Sequence, residues 1–185
     1  MRVATLALIT ALILATSSRA YAVKPQQIAP DDAHSYLSIA DEHEPGEWVV
    51  IQGTVYDDKA WLRNASIYIS HADWVGRDSP DKFGEPRLKG YMRTNYHGGY
   101  DFDTIMPGHP DRRTPAHIDC VVTAKGFKDR IIEIYFDDDA LLTPELRAAA
   151  ANPPEDGKKQ IVILPSHRDV RGVFHARFDI FMQRI

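Results

Sequence analysis

The sequence predicts an all-β protein, a two-sheet β-sandwich that carries one short helix. Several short runs of apolar or alternating residues follow one another at close spacing, with turn residues between them, which is typical of sandwiches. Only one segment has the pattern of a convincing helix. Without its first 22 residues the chain keeps 163 residues, a length that suits one domain with a full core.

The first 22 residues have the pattern of a secretory signal peptide. Arg2 supplies a positive charge, residues 3–15 form an apolar run, and Ala20-Tyr21-Ala22 is a small-x-small cleavage pattern. The apolar run is shorter than a bilayer requires. We therefore expect cleavage after Ala22, a secreted or periplasmic protein, and no membrane span after cleavage.

The remaining chain divides into two parts. Residues 23–45 are polar and without a clear period, which predicts an extended segment, with a helical turn expected near residues 31–39. Residues 46–185 predict the sandwich, with the helix at 143–151 because Thr143 suits the N-cap and Pro144 the first position. The expected strands are 47–56, 65–71, 100–105, 117–123, 130–136, 160–164 and 173–182.

Composition narrows the classes of function. The net charge is −4 and no block of Lys and Arg occurs, which argues against nucleic acid as a partner. Cys120 is the only cysteine, so no intrachain disulfide can form, and we expect it to be a small buried core residue. His71 and His97 are expected to be solvated surface residues.

Residues 107–120 concentrate the side chains with the most chemistry. They include His109, His117 and Asp119, with Arg112 and Arg113 between them. If 117–119 is a strand, its side-chain period of two places the imidazole of His117 and the carboxylate of Asp119 on the same face. An imidazole and a carboxylate on one rigid element are a reasonable beginning for a metal site.

The order of short motifs along residues 46–185 adds a further indication. The motifs are residues 50–55, 64–69, 72–77, 88–90, 93–95, 99–108, 115–118, 133–138 and 176–180. In this order and spacing they resemble the intradiol ring-cleavage dioxygenases, the catechol and protocatechuate class. The resemblance implies the sandwich fold, a catechol-like aromatic substrate, and a ferric ion held by two tyrosines and two histidines.

The chain departs from that family at the metal positions. Asp78 follows Gly76-Arg77, where the resemblance implies the first tyrosine, and His109 stands at the position of the second. His117 is retained, and Asp119 replaces the second histidine. The four positions thus offer two imidazoles and two carboxylates, a set that suits divalent iron, manganese, zinc or copper.

The sequence thus predicts a secreted metalloprotein that oxygenates a catechol-like aromatic compound. The resemblance favours iron, and it implies a substrate-binding arginine where this chain has Thr114. Arg112 and Arg113 lie next to that position and could hold an anionic group, and His109 is a further catalytic candidate. Non-oxygenase acid/base, lyase or hydrolase chemistry, a metal-free binding domain and a homo-oligomer stay open.

Overall fold

The computed structural model describes residues 24, 27–78, 84–153 and 159–185. Over these residues the chain forms ten strands and one helix. In chain order they are β1 (Tyr36–Ser38), β2 (Trp48–Tyr56), β3 (Ser66–His71), β4 (Leu88–Arg93), β5 (Gly99–Ile105), β6 (Ile118–Thr123), β7 (Arg130–Phe136), α1 (Pro144–Ala151), β8 (Gln160–Leu164), β9 (Phe174–Arg177) and β10 (Ile180–Phe181).

The strands form two sheets, as predicted. The first sheet has the order β1-β5-β2-β10, with β9 also paired to β2, and the second has the order β4-β3-β6-β7-β8. Alternate residues of both sheets enter one shared core, in which Ile51 and Phe102 of the first sheet join Ile69, Ile118 and Ile134 of the second. The sandwich with one short helix is therefore confirmed, and Cys120 is buried in its core.

The helix α1 begins and ends where the sequence predicts. The hydroxyl of Thr143 accepts a hydrogen bond from the Leu146 N–H at 3.3 Å, and Pro144 occupies the first turn. Among the described residues no helix is both long and apolar enough to cross a bilayer. The predicted signal peptide, residues 1–22, lies outside the described residues.

The prediction of a helical turn near residues 31–39 is wrong, because this segment pairs with a sheet instead. β1 runs parallel to β5, with Tyr36 opposite Asp101 and Ser38 opposite Asp103. Just before β1, the carbonyl of His34 accepts the N–H of Arg93 in β4. The N-terminal arm, residues 27–38, thus runs from the edge of the second sheet to the edge of the first.

The C-terminal strand predicted at 173–182 is divided into β9 and β10, which pair with different parts of β2. The carbonyl of Phe178 lies over Gly53, where a Cβ atom would come within 1.9 Å of its oxygen. The Asp179 side chain accepts the Thr54 N–H at 2.9 Å, in place of a ladder partner. A glycine in β2 therefore permits the close crossing that interrupts the final strand.

Arg93 fastens the N-terminal arm to the second sheet. Its side chain is only 14% exposed. The guanidinium donates to the carbonyls of Ala29 and Pro30 at 2.7 Å and of Asn64 at 3.2 Å, and it pairs with Asp31 at 2.8 Å. One cation thus satisfies three carbonyls that the irregular arm and its neighbouring loop leave outside any ladder.

We expect Arg93→Met to lower the free energy of unfolding by about 2 kcal/mol, because charge-assisted hydrogen bonds to three carbonyls are lost. Urea unfolding followed by circular dichroism measures the change. Arg63→Met is the matched control, since Arg63 is exposed and, among the described residues, its guanidinium lies over the exposed ring of Tyr96. Equal effects of the two substitutions would contradict a fastening role for Arg93.

Candidate metal centre

The register between β6 and β7 brings two carboxylates together. In both strands the residues of one face enter the core, and Asp119 lies directly opposite Glu133 on the other face. His117 immediately precedes β6 and lies on the side of Asp119. Ligand atoms of His117, Asp119 and Glu133 all lie within 4.8 Å of one another. Among the described residues these three side chains form a group that could hold a metal ion, and the group is called the metal cluster below.

A backbone carbonyl fixes the proton of His117. The Nδ1 atom lies 3.0 Å from the carbonyl oxygen of Pro115, which can only accept a hydrogen bond, so Nδ1 carries the proton. In the neutral imidazole this leaves the lone pair on Nε2. Metal-binding histidines commonly have one ring nitrogen held by such a carbonyl while the other nitrogen binds the ion.

Both oxygens of Glu133 have partners. The Tyr135 hydroxyl donates to Oε2 at 2.8 Å, and the Lys159 ammonium forms an ion pair with Oε1. Burial raises the pKa of Tyr135, and its hydrogen bond to Glu133 acts in the same direction, so the phenol keeps its proton and remains a donor. Glu133 is therefore held from two sides.

Asp119 is the least satisfied member of the metal cluster. Among the described residues no donor forms a hydrogen bond to its carboxylate. Burial raises its pKa, nearby Glu133 and Asp78 act in the same direction, and His117 and Lys159 oppose them. A carboxylate that lacks donors and lies among other acids is the kind of group that a bound cation stabilises.

Two cavities meet at Asp119 and Ser70. The smaller, of about 130 Å³, is lined by His71, Asp78 and His117 and by backbone near Gly108. The larger, of about 360 Å³, lies over the outer face of β6 and β7. Its lining combines apolar and polar side chains: Lys24, Gln27, Ser70, Asp119, Cys120, Val121, Ile131, Glu133 and Lys159. The larger volume falls within the range of small-molecule sites.

A compact loop positions Asp78 at the smaller cavity. The Asp73 side chain accepts the N–H groups of Val75 and Arg77, and its carbonyl accepts those of Gly76 and Gly108. Burial raises the pKa of Asp73, but the hydrogen bonds from Arg77 outweigh it and hold the pKa below its usual value. Asp78 itself is exposed and lies at the cavity wall beside the metal cluster.

The structure places His109 away from the metal cluster. Its Nε2 atom lies 3.0 Å from each oxygen of the buried Asp139 carboxylate, which also accepts the N–H groups of Ala116 and Leu141. The His109 side chain is about half exposed, at 47%. Of the four predicted metal-binding positions, the structure thus brings His117 and Asp119 together, with Asp78 nearby, and pairs His109 with a different acid.

Arg112 and Arg113 are exposed in the loop that precedes His117. The loop is shaped by Asp111, whose carboxylate accepts the N–H groups of Arg113 and Thr114. Neither arginine lines either of the two cavities that meet at Asp119. The basic side chains that do line the larger cavity are Lys24 and Lys159.

The prediction that His71 is a solvated residue is wrong. His71 is 5% exposed at the end of β3 and lines the smaller cavity. Its Nδ1 lies 2.7 Å from the Ala72 carbonyl and its Nε2 lies 2.7 Å from the Thr104 hydroxyl. The carbonyl accepts from Nδ1, and in the neutral ring the hydroxyl donates to Nε2. Burial lowers the pKa of His71 to about 4.

Glu133 was missing from the predicted site. The sequence did hold a signal, because Glu133 is the one acid within the otherwise apolar run of β7. An isolated charge in a buried strand costs free energy unless it is paired, which marks it as a candidate functional residue. Its partner across the ladder, Asp119, could be identified only from the register.

A dioxygenase family model matches residues 20–184, most of the chain. The chain belongs to the intradiol dioxygenase family. Catechol 1,2-dioxygenase 2 of Acinetobacter lwoffii is 27% identical to this family member over 157 residues, with coverage of 74% of this chain and 56% of that enzyme. The chain therefore spans about half the length of this curated relative.

Solved structures share the fold of this intradiol dioxygenase family member. The dioxygenase domain of a carbohydrate-binding fusion protein from Streptomyces sp. SirexAA-E superimposes with a TM-score of 0.64 at 18% identity, with coverage of 90% of this chain and 96% of that domain. Catechol 1,2-dioxygenase from Acinetobacter sp. ADP1 gives 0.61 at 24% identity, covering 85% of this chain and 59% of that enzyme.

The donors in this intradiol dioxygenase family member differ from the ferric, tyrosine-bound set that the resemblance implies. The metal cluster offers one imidazole and two carboxylates, and Asp78 adds a carboxylate at the cavity wall. Tyr135, whose ring centroid lies 5.5 Å from that of His117, is a protonated donor to Glu133. This set does not fit a ferric ion held by two tyrosinates, and it fits a divalent cation.

The pKa of His71 makes the stability of the protein depend on pH. The pKa is about 4 in the folded state against about 6.5 in the unfolded chain, so unfolding binds a proton in that interval. The contribution of the neutral His71 ring to stability is fully present above the pKa of the unfolded chain. It is lost as pH falls toward the pKa of the folded state, and the total loss is about 3 kcal/mol.

We expect His71→Asn to show a shallower loss of stability than the wild type between about pH 7 and about pH 4.5, as measured by urea unfolding. His97→Asn, which changes an exposed histidine, is the control and should keep the wild-type slope. Parallel pH profiles for all three proteins would rule out titration of His71 as the cause.

Proposed function

We propose that this protein binds a divalent metal ion through His117, Asp119 and Glu133 and oxygenates a catechol-like aromatic compound in the larger cavity. The observation that carries the proposal is the Asp119 carboxylate, which lacks hydrogen-bond donors among the described residues and lies between two cavities beside a histidine whose Nε2 is free of its proton. Family membership supports the dioxygenase class of reaction.

The residues around the metal cluster have separate roles in this proposal. Pro115 fixes the tautomer of His117, and Tyr135 orients the carboxylate of Glu133. Val121 and Ile131 give the larger cavity an apolar wall for an aromatic ring. When bound, an iron ion supplies Lewis acidity and redox chemistry, and the protein contributes the shaped, partly water-excluding site.

Metal content and oxygen consumption test this function together. We expect the purified protein, loaded with Fe²⁺ under nitrogen, to retain iron, and His117→Ala or Asp119→Ala to weaken retention by at least about tenfold. The loaded wild type should then consume oxygen with catechol in an electrode assay. His109→Ala is the control for the assignment, because His109 is paired with Asp139 outside the metal cluster.

Three outcomes would contradict parts of the proposal. Full metal content in the His117 and Asp119 variants would show that the ion binds elsewhere. Loaded protein that consumes no oxygen with catechols would exclude the oxygenase. An intense visible band on addition of ferric iron would indicate a phenolate ligand, which the proposed donor set does not contain.

A second candidate, acid/base catalysis without oxygen, is favoured by the His109–Asp139 pair. The imidazole is half exposed, and a buried carboxylate holds its Nε2 proton, an arrangement that orients a histidine for proton transfer. Acid/base catalytic activity that persists without metal and is lost in His109→Ala would support this alternative. Metal-dependent oxygen uptake that survives the same substitution would exclude it.

We also propose that the protein is exported, on the basis of the signal-peptide pattern in residues 1–22. Expression of the full chain in a bacterial host should give a periplasmic product that begins at Val23. N-terminal sequencing of that product measures the cleavage site. An uncleaved product in the cytoplasm would contradict export.

A further inference from the structure

Lys159 occupies the position of a counter-ion in the metal cluster. It lies just before β8, which runs parallel to β7, and its ammonium pairs with Oε1 of Glu133. The Lys159 side chain is 28% exposed and that of Glu133 is 12% exposed, so the pair lies in a partly desolvated environment. Lys159 also lines the larger cavity, next to the carboxylate of Asp119.

A divalent ion in this cluster would come into conflict with the ammonium. The ion and Lys159 would share the carboxylate of Glu133, and like charges a few ångströms apart repel strongly where water is partly excluded. The four-carbon stem of lysine is flexible, and the larger cavity offers its ammonium space to move away. Glu133 cannot leave as easily, because Tyr135 holds its second oxygen.

We propose that Lys159 is an internal cation that Glu133 exchanges for the metal ion. This inference rests on the metal site of the proposed function and goes further by assigning a competitor to it. The carboxylate pairs with the ammonium when the ion is absent and with the ion when it is bound. The competition lowers the apparent affinity for metal, and the released ammonium faces the larger cavity.

The direction in which metal affinity changes when Lys159 is removed separates this exchange from a supporting role. A lysine that merely positions Glu133 strengthens metal binding, so its removal weakens affinity. A lysine that competes for Glu133 does the opposite, because its removal leaves a partly buried carboxylate without its counter-ion. The two roles therefore predict opposite changes in affinity.

Calorimetric titration of the chelator-treated protein with Co²⁺ provides this test. We expect Lys159→Met to bind Co²⁺ at least about tenfold more tightly than the wild type, since the competing charge is gone while the stem is kept. Lys159→Arg keeps the charge and should stay close to the wild type. Lys125→Met is the matched control, because Lys125 is an exposed lysine beyond the far end of β6. Unchanged or weaker binding by Lys159→Met would overturn the exchange.

A measurement on the unsubstituted protein covers the case in which the variants fail to fold. Acetic anhydride modifies exposed amines, and mass spectrometry reports the extent at each lysine. Saturating Co²⁺ should raise acetylation of Lys159 several-fold and leave that of Lys125 unchanged. Equal acetylation of Lys159 with and without Co²⁺ would overturn the exchange.

The outcomes also distinguish this inference from the proposed function. Tighter binding by Lys159→Met without oxygen uptake would keep the exchange and reject the oxygenase. Oxygen uptake with equal Co²⁺ affinity in the wild type and Lys159→Met would keep the oxygenase and reject the exchange. Absence of Co²⁺ binding in both proteins would reject the exchange and the metal site alike.

Discussion

The antiparallel register between β6 and β7 is the constraint on which the rest of this protein depends. It aligns Ile118 with Ile134 in the core and Asp119 with Glu133 on the opposite face. A shift of either strand by one residue would turn its acid into the core and its isoleucines out of it, so burial of the isoleucines also determines where the carboxylates lie. Hydrophobic burial therefore stabilises an arrangement of two like charges that is unfavourable by itself.

The surroundings of the two acids offset that unfavourable arrangement unequally. Glu133 accepts a hydrogen bond from the Tyr135 hydroxyl and pairs with the Lys159 ammonium, whereas Asp119 accepts no hydrogen bond from the described residues. An asymmetric pair of this kind resembles many functional sites, in which one group is held rigidly and its neighbour is left reactive. The sandwich supplies the rigidity, since both acids stand on central strands of the second sheet and not on a loop.

Local patterns predicted most of the fold and about half of the candidate site. Alternating side chains identified the strands other than β1 and β4, and the spacing of His117 and Asp119 placed them on one face. His71 and the partner of His109 could not be identified in this way, and the acid in the run of β7 marked Glu133 without revealing its partner Asp119. Their roles depend on contacts between residues distant in sequence, such as the 30-residue separation between His109 and Asp139. Periodicity carries no information about such pairs.

Two errors of sequence interpretation have a common physical cause. The segment around β1 is polar, so its local pattern did not indicate a strand. The final segment is interrupted at Phe178 and Asp179, although its local pattern indicated one continuous strand. In both places the backbone conformation is decided by a partner strand and not by propensity. Gly53 and Arg93, the residues that permit these arrangements, are informative only when the partner is known.

The irregular C-terminal run also affects how the protein behaves among its own copies. A long, straight edge strand is a template on which other chains add strands and aggregate. Here the last strands are four and two residues long, and β9 is bridged to residue Arg168 on its outer side. α1 packs beside β8 at the border of the second sheet. The short last strands and the helix beside β8 thus protect against edge-to-edge association in a chain that has no intrachain disulfide to stabilise its fold.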